Sequence, residues 1–193
     1  MRSGEDRLMR AQADLDMAVR RSDPQAAARA SSALADSQDD FAGARDKTQS
    51  DPGLRLLHAL PGAGLQVDAT GRLAAIGSEL SLAGMSAASI TSDVLRLKQA
   101  YAGKRLTLAD LAALRAQVDG LVARSGSASQ AIAASLKAAH AQRAQVKTTD
   151  LIAPLHSAYD QVDAALAQAD EAYIRYGDVR LLVSQALGIP IPG

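Results

Sequence analysis

Three histidines and three glutamates are spread thinly along this chain, and their spacing limits the chemistry they could perform. A metal site needs two or three imidazoles or carboxylates converging on one point, but His58, His140 and His156 fall on three different segments. None belongs to an i,i+4 histidine pair or a His-Glu-x-x-His run. His156 and Asp160 stand one helical turn apart, a spacing that suits a hydrogen-bonded surface pair better than a cation. Glu5, Glu79 and Glu171 are isolated from one another, and most aspartates precede helical runs, where capping explains them better than acid/base work does. Serine is plentiful, yet no Gly-x-Ser-x-Gly elbow or Ser-x-x-Lys setting occurs. Pro61-Gly62-Ala63-Gly64 places Gly-x-Gly at a helix start, where backbone N–H groups can cradle phosphate. It follows no strand and has no P-loop lysine, so it reads as a hinge. Tyr159, Tyr173 and Tyr176 share one face of the last helical run; they suit a core stripe, with a small-molecule pocket between helices as the functional alternative. The expectation is a chain without catalytic residues, bound metal or cofactor.

The elements that would position these groups follow from composition. Of 193 residues, 48% are hydrophobic and only 3% aromatic, with no Trp and one Phe, so a core must be built from Ala, Leu, Val and Ile. Alanine is the best helix former and strands favour β-branched and aromatic side chains, which points to an all-α fold. Basic and acidic residues balance at 21 each, so no global field draws in nucleic acid. Cysteine is absent, removing disulfides and thiolate chemistry. No run of eighteen apolar residues occurs, and the chain reads as soluble.

Ala69, Leu73, Ile76, Leu80, Ala83, Ala87, Ile90, Val94, Leu97 and Tyr101 alternate spacings of four and three, a heptad seam sustained without a slip. A second row runs Leu111, Val118, Ser125, Ile132, Ala139 and Val146, with Leu114, Leu121 and Ala128 between. A third runs from Leu155 through Tyr159, Val162, Leu166, Ala169 and Tyr173 to Tyr176. Upstream, Ala27, Ala30, Leu34, Ser37, Phe41 and Ala44 make a shorter seam, and Leu8, Leu15 and Val19 mark a first helix. Asp23-Pro24 and Asp51-Pro52 each set an N-cap acceptor before a proline, and Thr107-x-x-Asp110 resembles a capping box. These signals predict helices over 5–21, 24–47, 54–60, 65–102, 108–147 and 151–187. Ser125-Gly126-Ser127 is crossed in phase, while Gly177-Asp178 is a place where the last helix could end and restart. The architecture expected is an elongated antiparallel bundle of three long helices plus an N-terminal helical hairpin. Its parts are the hairpin (1–50), a short helix and corner (51–64), the long bundle (65–188) and a Pro-rich tail (189–193).

The corner is the one irregular stretch, Leu56 to Gly64. Pro61 disfavours helix at Leu60, and Gly62 and Gly64 permit backbone angles that other residues avoid. Leu57 and Leu60, with Leu54, are expected to plug the end of the bundle while the chain turns.

The run Leu54-x-x-Leu57-x-x-Leu60-Pro61-x-x-Gly64-x-Gln66-Val67, after Asp23 and Phe41-Ala42-x-Ala44 and before Leu187-Gly188, carries a resemblance. It resembles the region that follows the membrane anchor in bacterial envelope proteins carrying domain of unknown function four-zero-one-two. The resemblance implies an N-terminal transmembrane helix and a later mixed domain, both outside these residues, and an extracytoplasmic place in the bacterial cell envelope. The function expected is a non-catalytic stalk or interaction module whose partners are other domains of the parent protein or envelope proteins. It would touch a membrane only through a segment absent here. A ligand-sensing helical-bundle ectodomain of a receptor is the alternative, although Pro190 and Pro192 interrupt any continuous output helix.

Overall fold

The computed structural model describes residues 2–60, 62–104, 107–176 and 178–188. These form seven helices: α1 (Arg2–Arg21), α2 (Pro24–Ser50), α3 (Pro52–His58), α4 (Ala63–Tyr101), α5 (Leu108–Arg143), α6 (Ala153–Tyr176) and α7 (Val179–Leu187). The fold is all-α, with α2, α4 and α5 as long antiparallel neighbours and α1 paired with α2.

Helix starts follow the expected chemistry. The Asp23 carboxylate accepts from Gln25 N–H at 2.9 Å, and Asp51 accepts from Gly53 and Leu54 N–H at 2.7 and 3.2 Å. Thr107 and Asp110 form a complete capping box, each side chain bonded to the other's backbone N–H. These acceptors satisfy amides that have no partner inside the helix. Most boundaries shift by one to three residues, α2 for instance running to Ser50 and α3 covering Pro52–His58, and two differences are larger. α5 ends at Arg143, not 147, because Gln145 and Val146 N–H bond back three residues, to Gln142 and Arg143, and tighten the chain into a turn. The segment 151–187 is two helices; the Asp178 carboxylate accepts from Leu181 N–H at 3.3 Å and starts α7. α2 therefore replaces the final segment as the third long partner.

The predicted seam of α4 is the core. Leu73, Ile76, Leu80, Ala83, Ile90, Val94 and Leu97 are buried against Leu114, Val118, Leu121, Ile132, Leu136 and Ala139 of α5, Leu166 of α6 and Val183 of α7. α5 passes unbroken through Ser125-Gly126-Ser127, with Ser125 buried. Each fully buried aliphatic side chain removes enough apolar surface from water to contribute roughly 1.5–3 kcal/mol.

The opposite face of α4 is also packed, against the hairpin. Here Ala74, Gly77, Ser81, Gly84, Ala88 and Leu95 meet α2 and α1 through small residues. The Phe41 ring lies between Gly4 of α1 and Gly77 of α4: a Cβ added to either would come within 3.1 or 2.8 Å of it. Ser37 Oγ donates to the Gly4 carbonyl at 2.8 Å, and Ser81 Oγ shares its one proton between the Gly77 carbonyl at 2.9 Å and Ser37 Oγ at 3.3 Å, all buried. These bonds satisfy the hydroxyls that burial would otherwise leave unpaired. On α1 the seam is Gly4, Leu8, Ala11, Leu15 and Ala18; Val19, expected on it, is 63% exposed. Lys98 and Gln99 near the end of α4 hold the α1–α2 turn, donating to the Ser22 hydroxyl and carbonyl at 2.9 and 3.1 Å. α4 is the one described helix long and apolar enough to cross a membrane, and 56% of its apolar eighteen-residue window is buried in the bundle. Its apolar surface is therefore shared between two packed faces.

Candidate functional site

The corner is built as a sequence of caps. Asp51 caps α3, Ala59 and Leu60 N–H fold back on Leu56 and Leu57, and Gly64 N–H reaches the Leu60 carbonyl at 3.1 Å as α4 begins. Gly62 has φ +82, a left-handed conformation that glycine adopts without penalty. Gly64 is pressed against the His58 carbonyl, where a Cβ would overlap the oxygen. Pro61 lies outside the described residues.

The leucines do not plug the bundle end. Leu56, Leu57 and Leu60 are 75%, 43% and 54% exposed, and α3 buries no residue. α3 lies against α2 and α4 with these side chains turned to solvent, and the space beside it is lined largely by polar groups, among them Arg45, Thr48, Arg55, His58 and Arg72.

What the corner forms instead is a polar cleft. A depression of about 630 Å3 lies between the end of α2, α3, the start of α4 and the end of α5, with Arg45, Arg55, His58, Arg72 and Gln142 among its walls. A second of about 470 Å3 continues it through shared His58, Asp68 and Arg72 to Leu60, Gly62, Gly64 and Lys147. Arg72 Nη1 donates to Gln145 Oε1 at 2.6 Å and to Gln142 Oε1 at 3.3 Å, so two neutral carbonyl oxygens orient the guanidinium. His58 Nδ1 is 3.6 Å from Asp68 Oδ1. Among the described residues Arg45 pairs with its neighbour Asp46 alone, at 3.4 Å, and Arg55 has no ion pair. Three arginines elsewhere are matched with carboxylates: Arg7 with Asp40 at 3.0 Å, Arg29 with Asp14 and Asp23 at 3.6 and 3.7 Å, and Arg143 with Asp163.

Tyr159 and Tyr173 are half-buried and pack on the main core. The Arg143 guanidinium lies over the Tyr159 ring, 5.9 Å from its centroid, and is raised above its ordinary pKa chiefly by its hydrogen bond to Asp163. The Tyr176 side chain falls outside the described residues. Neither Tyr159 nor Tyr173 lines the clefts above.

Each histidine meets a different aspartate. His140 Nε2 is 2.8 Å from Asp170, joining α5 to α6, and His156 Nδ1 is 3.3 Å from Asp160 on its own helix. Among the described residues no three of His, Asp and Glu come together as a metal-ligand group.

A residue the sequence reading left without a role is Gln66. Its amide donates to the Asp150 carbonyl at 2.8 Å and accepts from Ile152 N–H at 3.1 Å, clamping the α5–α6 connection, where Asp150 has φ 67, to the first turns of α4. A lone glutamine near a helix start gives no sequence signal for such a contact. The small-residue face of α4 did carry one, since Gly77-x-x-x-Ser81 and Gly84-x-x-x-Ala88 repeat at helical spacing. No family model, curated protein or solved structure matches this chain.

Proposed function

We propose that the chain is a non-catalytic helical stalk or interaction module of a bacterial membrane-anchored envelope protein, lying outside the cytoplasm. The observation that carries this reading is α4, 39 residues without a break and packed along both faces. At a rise of ~1.5 Å per residue it extends roughly 58 Å. A rod supported on both sides resists bending and sets a fixed spacing between whatever joins its ends. The resemblance of the Leu54 to Val67 run to the membrane-proximal part of such envelope proteins supports the location. Partners are then other domains of the parent protein or neighbouring envelope proteins.

The test is protease accessibility of the full-length parent, epitope-tagged in the α5–α6 connection, in intact spheroplasts. Loss of the tag on adding protease outside is the expected result. A tag that survives until the inner membrane is permeabilised overturns the location.

A further inference from the structure

We propose that the corner cleft binds a phosphate-bearing anion between the guanidiniums of Arg45, Arg55 and Arg72. The inference goes beyond a spacer role and holds whether the bundle acts as a stalk or as a sensing ectodomain.

Three observations carry it. First, the three arginines come from α2, α3 and α4, and only the folded corner brings them to one concave surface of about 630 Å3, a volume in the range of small-molecule sites. Second, the charge there is unbalanced in a chain that is balanced overall. Across the two joined depressions Arg45, Arg55, Arg72 and Lys147 face Asp68 and, at the rim, Asp46, leaving an excess of two positive charges. Other arginines without an ion pair among the described residues, such as Arg10, Arg96 and Arg115, do not line this surface; here three from different helices do. Third, Arg72 is oriented in advance. Both of its protein hydrogen bonds fall on Nη1 and go to glutamine oxygens, so its Nη2 and Nε donors remain without a protein acceptor among the described residues. A guanidinium presents its donors as a planar fork that matches two phosphate oxygens, and a phosphate monoester carries about −1.5 to −2 at neutral pH, close to the excess in the cleft.

The same chemistry reaches the cleft from a soluble phosphate or from a phospholipid headgroup, and two probes separate the sources. Calorimetric titration with inorganic pyrophosphate at low salt tests the first, and co-flotation with vesicles of equal parts phosphatidylcholine and phosphatidic acid, whose headgroup is a phosphate monoester, tests the second. Arg55→Gln is the key variant. Arg55 has no ion pair among the described residues to lose, so its melting temperature stays at the wild-type value while affinity falls about tenfold, the loss of one charge-assisted hydrogen bond. Arg72→Gln gives a similar loss, and Arg115→Gln, on the exposed face of α5, gives none. Pyrophosphate binding with this arginine dependence and no vesicle binding assigns a soluble phosphate. Vesicle binding with the same dependence assigns the headgroup. Failure of both probes overturns the proposal, as does pyrophosphate binding that survives Arg55→Gln and Arg72→Gln, or citrate binding as tightly as pyrophosphate.

Discussion

Gly77→Ala should destabilise the protein, although alanine is the better helix former by about 1 kcal/mol in a helix interior. The added Cβ would stand 2.8 Å from three atoms of the Phe41 ring. The ring cannot withdraw freely, because Phe41 is 5% exposed and Gly4 of α1 backs it at close contact. Overpacking of this kind costs roughly 1–3 kcal/mol, so the net effect is a loss of about 1 kcal/mol and a melting temperature lower by roughly 2–4 °C at this chain length. Gly126→Ala in α5 supplies the comparison. Nothing lies within 4 Å of its Cβ, so it keeps the propensity gain and raises the melting temperature by a similar amount. Differential scanning calorimetry of the two variants reads opposite signs for one chemical change. Trimming the ring in a Gly77→Ala, Phe41→Leu double variant should recover part of the loss, a favourable coupling between contacting sites. If Gly77→Ala stabilises as much as Gly126→Ala, the hairpin does not pack on α4 as described.

Ile90→Asp puts a charge into the main core and should cost about 4 kcal/mol or more, while Gln99→Ala, which removes one exposed hydrogen bond to the Ser22 carbonyl, should cost under about 1 kcal/mol; urea melts distinguish them. Gln66→Ala should cost roughly 1 kcal/mol and speed amide exchange at Ile152 while leaving the centre of α4 unchanged. The Asp110 carboxyl is held below its ordinary value by hydrogen bonds from the Thr107 side chain and backbone. A depressed folded-state pKa contributes stability above the unfolded value, near 3.8, and loses it as pH falls through the folded value. The gap in melting temperature between wild type and Asp110→Asn should therefore be constant near neutrality and close below pH 3.8. A gap that stays open at low pH would remove the carboxylate from the capping box.

Periodicity made the aliphatic side of the bundle readable. Leu73 to Leu97 recur at three and four because they meet α5 and α6 continuously, and burial of large side chains leaves that imprint in any helix. Caps were readable for a similar reason: Asp51, Thr107 and Asp178 act on amides two or three residues away. The second face of α4 was harder to see, since Gly77, Ser81, Gly84 and Ala88 add little apolar surface and show their value only against Phe41, Leu34 and the alanines of α2. The corner shows the limit most clearly. Leu57 and Leu60 look like plugs by residue type, yet they face solvent because of how the corner sets α3 against α2 and α4, a tertiary placement with no local signature. The cleft was invisible for the same reason, because Arg45, Arg55 and Arg72 are ordinary surface residues until α2, α3 and α4 are brought together.

The central claim is that α4 is shared between two packed faces, with the hairpin seated on the one that carries small residues. Since the chain has no cysteine, Ser37→Cys with Ser81→Cys introduces a single pair at positions whose hydroxyl oxygens are 3.3 Å apart. Mild oxidation should convert the pair almost completely to an intramolecular disulfide, read as a mobility shift on a non-reducing gel that reductant reverses. Cysteines that stay reduced, or that link only between molecules, would contradict the account.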